Sequence, residues 1–362
     1  MKGARFHLLA PRWNASLLGS LRFSAPIRTI SAMTNQQAPT GGSPRVILGT
    51  MTFGTGVGGR INDLKEIRRI LDLFHSHGHT ELDTARMYCD GNTEQVLGEL
   101  QVQTTPPHFS VATKAFPFEP GMHEPERLKA QFRASLKALN TKRVDIFYLH
   151  APDHATPFSQ TLKAVQELYE EGTFGELALS NYAAWEVMQI WWICKSQGYV
   201  LPTLYQGMYN AITRAVEPEL FPCLRELGIR FYAYNPLCGG LLSGHYKFQD
   251  APKEGRFDPT HTQGERYRQR YWNETYFQAV ESIKAACAAN NLTPVEAAHR
   301  WLVHHSKLDK SKGDGIIIGA SSYDHAKQNL EDCEKGPLPD QVIAALDDAW
   351  AKTKSIAPSY NR

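Results

Sequence analysis

"FGTGVGGR", Phe53 to Arg60, decides between two folds. Its Gly54, Gly56 and Gly59 spell GxGxxG directly after the strand-like run "RVILGTM", and an amphipathic stretch follows. About twenty residues further on, Glu81 and Asp83 close a second strand-like run, "HTELDTA". Taken alone, these are the parts of a dinucleotide-binding loop with its ribose-binding acid. In that fingerprint the third glycine opens the helix, so that free amides face the pyrophosphate. Here Arg60, Ile61 and Asn62 intervene, and the helix is predicted to start with Asn62 or Asp63 as its cap. The glycines are therefore expected to form a loop after a strand, at the rim of a different fold.

Working outward, strand-like runs recur in "FSVATKA", "VDIFYLHA", "GELALSN", "PTLYQGMYN", "IRFYAYNPL" and "GIIIGAS". Between them lie helix-period segments, from "DLKEIRRILDLFHSHG" and "NTEQVLGELQ" to "AAWEVMQIWWICKSQG", "EPELFPCLRELG" and one long stretch from Glu274 to His305. "SYDHAKQNLEDC" follows the last strand. Strand then helix, eight times, predicts an α/β chain folded as a single-domain (β/α)8 TIM barrel over residues 45–362. Its site would lie at the carboxyl-terminal face of the strands.

With 39 basic and 37 acidic residues in 362, the net charge of +2 offers no global field for nucleic acid or an anionic membrane. No stretch is long and apolar enough to span a bilayer. Cys89, Cys194, Cys223, Cys238, Cys287 and Cys333 lack CxxC spacing, which reads as free thiols rather than a disulfide framework or zinc site. The three histidines of "HSHGH", His75, His77 and His79, precede the second strand, at the structural end of the barrel, so no metal is expected. Residues 1–44 differ from the rest. They carry Lys2, Arg5, Arg12, Arg22 and Arg28, no acid precedes Asp63, and "TNQQAPTGGSP" reads as a linker. This suits a mitochondrial presequence or a disordered tail, with cytoplasmic residence as the alternative.

The strand ends collect chemistry. Asp83 and Tyr88 follow the second strand, Lys114 the third, His150 the fourth, Ser180 and Asn181 the fifth, and Gln206 lies on the sixth. A phenol ordinarily ionises near pH 10, so a tyrosine acting as general acid needs a cation to stabilise its phenolate. Lys114 offers that cation, Asp83 a partner that holds it, and His150 a hydrogen bond to a substrate oxygen. Each residue singly has an ordinary structural role. Four of them at three consecutive strand ends point to carbonyl reduction.

"LDTARMY", "ATKAF", "FYLHAPDH", "LSNY", "LYQGMYN" and "YAYNPLCGGLLSG", in this order, resemble the aldo-keto reductases, in the branch of the aflatoxin-aldehyde and succinic semialdehyde reductases. The resemblance runs from about Arg45 to Arg362. It implies a barrel, often dimeric, that uses NADPH without a metal. It casts Tyr88 as proton donor, Lys114 as the residue lowering its pKa, Asp83 as partner of that lysine and His150 as the substrate-orienting histidine. Ser180, Asn181 and Gln206 match groups that hold the nicotinamide carboxamide, with Tyr234 stacked under the ring. Asn235, Pro236, Leu237, Cys238, Gly239, Gly240, Leu241, Leu242, Ser243, Gly244 and His245 match the segment along the pyrophosphate. Gly319, Ala320, Ser321, Ser322, Tyr323, Asp324, His325, Ala326 and Lys327 match the adenosine phosphate site, with Gln328 and Asn329 near adenine. Arg256 matches a cofactor-binding arginine, a preference for NADPH over NADH through its extra phosphate. Tyr267, Arg270 and Arg362 match substrate contacts, which implies carboxylate-bearing aldehydes or dicarbonyls. Asn361 departs from the family's bulkier residue there. The potassium-channel β-subunits share the same barrel and tetrad, so a regulatory cofactor-binding protein is the alternative. Cys89, beside Tyr88, is a thiol whose oxidation would touch the acid.

Overall fold

The computed structural model describes residues 44–362; the presequence-like segment lies outside the described residues. Eight parallel strands close into a ring in chain order: β1 Arg45–Gly49, β2 Glu81–Asp83, β3 Ser110–Ala115, β4 Val144–Leu149, β5 Phe174–Ser180, β6 Pro202–Met208, β7 Arg230–Tyr234 and β8 Gly315–Gly319. β8 pairs back with β1 from Arg45↔Gly315 to Gly49↔Gly319. Eleven α-helices surround the ring among the described residues: α1 Leu64–Ser76, α2 Asn92–Glu99, α3 Pro125–Ala138, α4 Phe158–Glu170, α5 Ala184–Gln197, α6 Leu220–Glu226, α7 Thr262–Tyr271, α8 Glu274–Ala289, α9 Pro294–His304, α10 Tyr323–Glu334 and α11 Asp340–Thr353.

The period of two along each strand divides the apolar residues between two cores. Ile47, Ala112, Ile146, Tyr148, Ala178, Leu204, Tyr232 and Ile317 fill the bore. Their neighbours Leu48, Val111, Phe147, Leu177, Phe231 and Ile318 pack outward against the helices. Both faces of each strand are buried, which is why these runs read as nearly continuous hydrophobics. At the amino-terminal floor, the Tyr232 hydroxyl donates to Glu81 Oε2 at 3.0 Å, and Arg230 pairs with Glu176 at 2.7 Å.

The cap of α1 is Asp63, whose side chain accepts from Lys65 N at 2.9 Å, as the chain pattern predicted. The long helical stretch divides into α8 and α9 instead of running through. Asn291 turns left-handed at φ 56°, the Thr293 hydroxyl caps the Glu296 amide at 3.1 Å, and Pro294, which has no amide hydrogen, opens α9. "TQGERYRQRY" adds α7, a helix outside the strand–helix alternation. His77 pairs with Glu334 at 2.6 Å, and among the described residues no cluster of His, Cys, Asp and Glu forms a metal site. No described helix is long and apolar enough to cross a membrane.

Candidate active site

Asp83 ends β2 and Lys114 lies near the end of β3, and both side chains are buried at the carboxyl-terminal mouth of the bore. The Lys114 ammonium stands 2.7 and 2.8 Å from the two Asp83 oxygens. It also donates to the Thr84 carbonyl at 2.8 Å and to the Tyr88 hydroxyl at 3.2 Å. Gln206 Nε2 donates to Asp83 Oδ1 at 2.7 Å. Tyr88 is carried there by the segment after β2, which turns sharply through Cys89, Asp90 and Gly91 at φ 48°, 55° and 93°.

Burial, then the charge of Asp83, raises the Tyr88 phenol well above its ordinary range, against a smaller opposing pull from Arg256. Desolvation penalises the phenolate, so the phenol stays protonated at neutral pH. Burial also lowers Lys114, in spite of Asp83.

His150 follows β4, its ring 6.1 Å from that of Tyr88 at 79°. Desolvation, then Lys114 and Arg362, pushes it well below its usual range, so it is a neutral imidazole. Its Nδ1 is buried without a hydrogen-bond partner among the described residues. Asn181, left-handed at φ 64°, joins the surrounding strands: its Nδ2 donates to the His150 carbonyl at 2.8 Å and to Ser180 Oγ at 2.9 Å, and its Oδ1 accepts from the Tyr234 hydroxyl at 2.8 Å.

Beyond Tyr234 the backbone loops through positive φ at Asn235, Cys238, Gly239, Gly240 and Gly244. Asn235 braces the loop, accepting from the Gly239 amide at 2.6 Å and donating to the Tyr271 hydroxyl at 2.7 Å. A side chain at Gly239 would meet the Tyr267 ring at 2.5 Å, whereas one at Gly240 would find only Tyr246, at 3.9 Å. Packing requires the first glycine; the second leaves open space beside bare backbone.

After β8, Ser322 caps α10 by accepting from the His325 amide at 3.2 Å, and Asn329 Nδ2 holds the Gly319 carbonyl at 2.9 Å. Ser321 Oγ stands 2.9 Å from His325 Nδ1, and Gln328 donates to Asp332 at 2.8 Å. Lys327 is exposed, 3.8 Å from Glu331, and a side chain at Gly319 would touch nothing. Open backbone, a helix start and a solvated cation fit an anionic phosphate.

At the mouth, Arg256 NH1 lies 3.3 Å from the Tyr267 hydroxyl and 3.2 Å from Met51 Sδ. The Arg270 guanidinium is 5.7 Å from the Tyr267 ring, and that of Arg362 lies 5.7 Å over the Phe116 ring. The Arg362 amide donates to the Asn181 carbonyl at 3.0 Å. Arg256, Arg270 and Arg362 have no carboxylate within 4.0 Å among the described residues, and Arg270 and Arg362 both act on Tyr234.

The aldo/keto reductase family model matches residues 45–351. The chain belongs to the aldo/keto reductase family. It is an oxidoreductase of that family, whose members reduce carbonyl groups with hydride from a nicotinamide dinucleotide. The reductase is similar to "Aflatoxin B1 aldehyde reductase member 2" of Mus musculus, 46% identical over 328 residues, 88% of each chain. To the Homo sapiens protein of the same name it is 45% identical over 352 residues, 95% of this chain and 96% of the relative. "Aldo-keto reductase family 7 member A3" of Homo sapiens is 45% identical over 328 residues, covering 88% of this chain and 97% of the relative.

Sequence reasoning missed Phe116 as part of the reductase's site. Its ring stands 5.4 Å from the His150 ring and 5.4 Å from that of Phe118, which is exposed. The signal was present, since Phe116 lies two residues after Lys114 and so on the same side of an extended chain. The Thr84 carbonyl, a third acceptor for Lys114, carries no such signal because every residue has one.

Proposed function

We propose that this protein is an NADPH-dependent reductase of carboxylate-bearing aldehydes and dicarbonyls. The observation that carries the reading is the buried chain Asp83–Lys114–Tyr88, at 2.7 Å and 3.2 Å, next to a neutral His150. NADPH, when bound, supplies the hydride. Tyr88 donates its proton to the carbonyl oxygen, which His150 orients through an N–H of its neutral ring. The negative charge left on the Tyr88 oxygen meets the Lys114 ammonium, itself held by Asp83 and the Thr84 carbonyl.

Ser180, Asn181 and Gln206 would hold the nicotinamide end, residues 235–245 would lie along the pyrophosphate, and Ser321, Ser322 and Lys327 would take the adenosine phosphate. The choice of a carboxylate-bearing substrate is supported by the guanidinium groups of Arg270 and Arg362 at the mouth, which face Tyr267, Phe116 and Tyr234 and no carboxylate among the described residues. Arg256 is assigned by resemblance to the cofactor's extra phosphate; its position against Tyr267 and Met51 supports a role on the aldehyde side. The relatives named as aldehyde reductases favour an enzyme over a regulatory subunit of the potassium-channel kind.

The test is steady-state oxidation of NADPH with succinic semialdehyde. Turnover near the roughly 10 per second common among enzymes is expected; less than about one per minute would remove the reading.

A further inference from the structure

The glycine-rich stretch from Phe53 to Arg60 stands on the first βα loop, and its amides are already used. Gly54 N donates to the Ile61 carbonyl, Gly59 N to Gly56, and both Arg60 N and Ile61 N to Thr52. Thr55 N donates to Asn92 Oδ1 at 2.8 Å and Val57 N to Asp90 Oδ2 at 3.3 Å. A phosphate cradle needs free amides, and six of the eight from Gly54 to Ile61 are donated within the protein.

Outside the loop itself, the backbone partners of residues 53–60 among the described residues belong to one segment, the turn that follows Tyr88, while the Arg60 side chain reaches Glu254 at 3.9 Å. Cys89 Sγ lies 3.3 Å from the Met51 carbonyl, Asp90 accepts from Val57, Asn92 accepts from both the amide and the hydroxyl of Thr55, and Thr93 Oγ1 donates to the Phe53 carbonyl at 2.8 Å. The glycines are where the two segments touch. A Cβ at Gly54 would stand 2.6 Å from Asn92 Oδ1, and one at Gly56 would stand 2.9 Å from Asp90 Oδ2 and 3.0 Å from the Cys89 carbonyl.

That turn is strained, because Cys89 and Asp90 hold positive φ without being glycine. A strained conformation persists only where its surroundings hold it. From the other side, Arg86 pairs with buried Glu94 at 2.7 Å, which in turn accepts from Thr113 Oγ1 at 2.6 Å, beside Lys114. The turn is thus gripped between the glycine loop and β3.

We infer that the glycine loop is a clamp that positions Tyr88 against Lys114, with Asn92 and Gly56 as positioning residues for proton transfer. This rests on the functional reading above. Releasing the grip lets the turn relax, which moves the phenol away from the ammonium and the carbonyl oxygen while leaving the dinucleotide's own contacts in place.

The experiment uses the full chain, NADPH and succinic semialdehyde, with wild type, Asn92→Ala, Asn92→Asp and Gly56→Ala. Asn92→Ala and Gly56→Ala are expected to lower kcat on the order of tenfold or more. The Kd for NADPH should stay within about twofold, and the solvent isotope effect on kcat should rise as proton transfer slows. Asn92→Asp keeps an acceptor oxygen for Thr55 and is expected to regain most of kcat. Unchanged kcat in an active background overturns the clamp, as does a weakened Kd with kcat retained, which is the signature of a phosphate cradle. If wild type does not turn over, the functional reading fails instead. The clamp is then judged by amide hydrogen exchange at residues 88–93, expected to quicken in Asn92→Ala; unchanged exchange overturns it. Should Gly56→Ala not fold, the Asn92 pair decides alone.

Discussion

Lys114 and Asp83 form an ion pair at 2.7 Å with both side chains sealed in the mouth of the barrel. A buried ammonium that loses its counter-charge is severely destabilising. Asp83→Asn is therefore expected to lower unfolding stability by about 3 kcal/mol, read by urea denaturation, together with a large fall in kcat. Unchanged stability would mean that Lys114 is neutral in the folded protein.

Tyr88→Phe removes one hydroxyl and almost no volume. Turnover of succinic semialdehyde should fall by about 10²–10⁴-fold, the usual worth of a positioned general acid, while NADPH still binds with its wild-type Kd. A variant that retains wild-type kcat would dismiss Tyr88 as the donor.

The guanidinium groups of Arg270 and Arg362 predict a split by substrate charge. Arg362→Ala should raise KM for succinic semialdehyde by about tenfold, the loss of one charged hydrogen bond, and leave an uncharged aldehyde of similar size nearly unaffected. Equal changes for both substrates would argue against the carboxylate site.

Arg256 separates two roles. From its place beside Tyr267 and its pull on Tyr88, Arg256→Ala should move the alkaline limb of the kcat profile upward, since a nearby cation that favours the phenolate is gone. A collapse of the preference for NADPH over NADH, with the limb unmoved, would restore the phosphate assignment.

The floor of the barrel has its own pH dependence. Burial outweighs the opposing pull of Arg230 and raises Glu81 from 4.5 to about 7. The folded protein therefore holds this proton where the unfolded chain has released it. The contribution is full below pH 4.5 and lost as pH rises through about 7, amounting to no more than about 3 kcal/mol. Urea midpoints at pH 5 and pH 8 measure it. Glu81→Gln should flatten the difference; an unaltered slope would assign the dependence to other groups.

The barrel was legible because strand-helix alternation and buried β-branched runs are local properties that recur eight times. Asp83, Tyr88, Lys114 and His150 were legible for a related reason: position at a strand end determines where a side chain points. The break at Asn290–Thr293 was hidden by apolar periodicity that continues on both sides of it, although Thr293-Pro294 is a cap signal in itself. The sign of the Tyr88 shift was not legible, since it depends on how completely the pocket is sealed. Nor was the purpose of Gly54 and Gly56. A glycine states that something comes close, and only the fold tells whether that is a phosphate or the side chain of Asn92.

The hydrogen bond from Gln206 to Asp83 has a mechanical meaning. Their strands, β6 and β2, are four apart in a ring of eight and thus face each other across the bore. Neighbouring strands are tied along the circumference, but this contact is a spoke along the diameter. It resists flattening of the ring in the direction that would pull Asp83 from Lys114, so the stiffness of the catalytic mouth is set in part by a residue from the far wall.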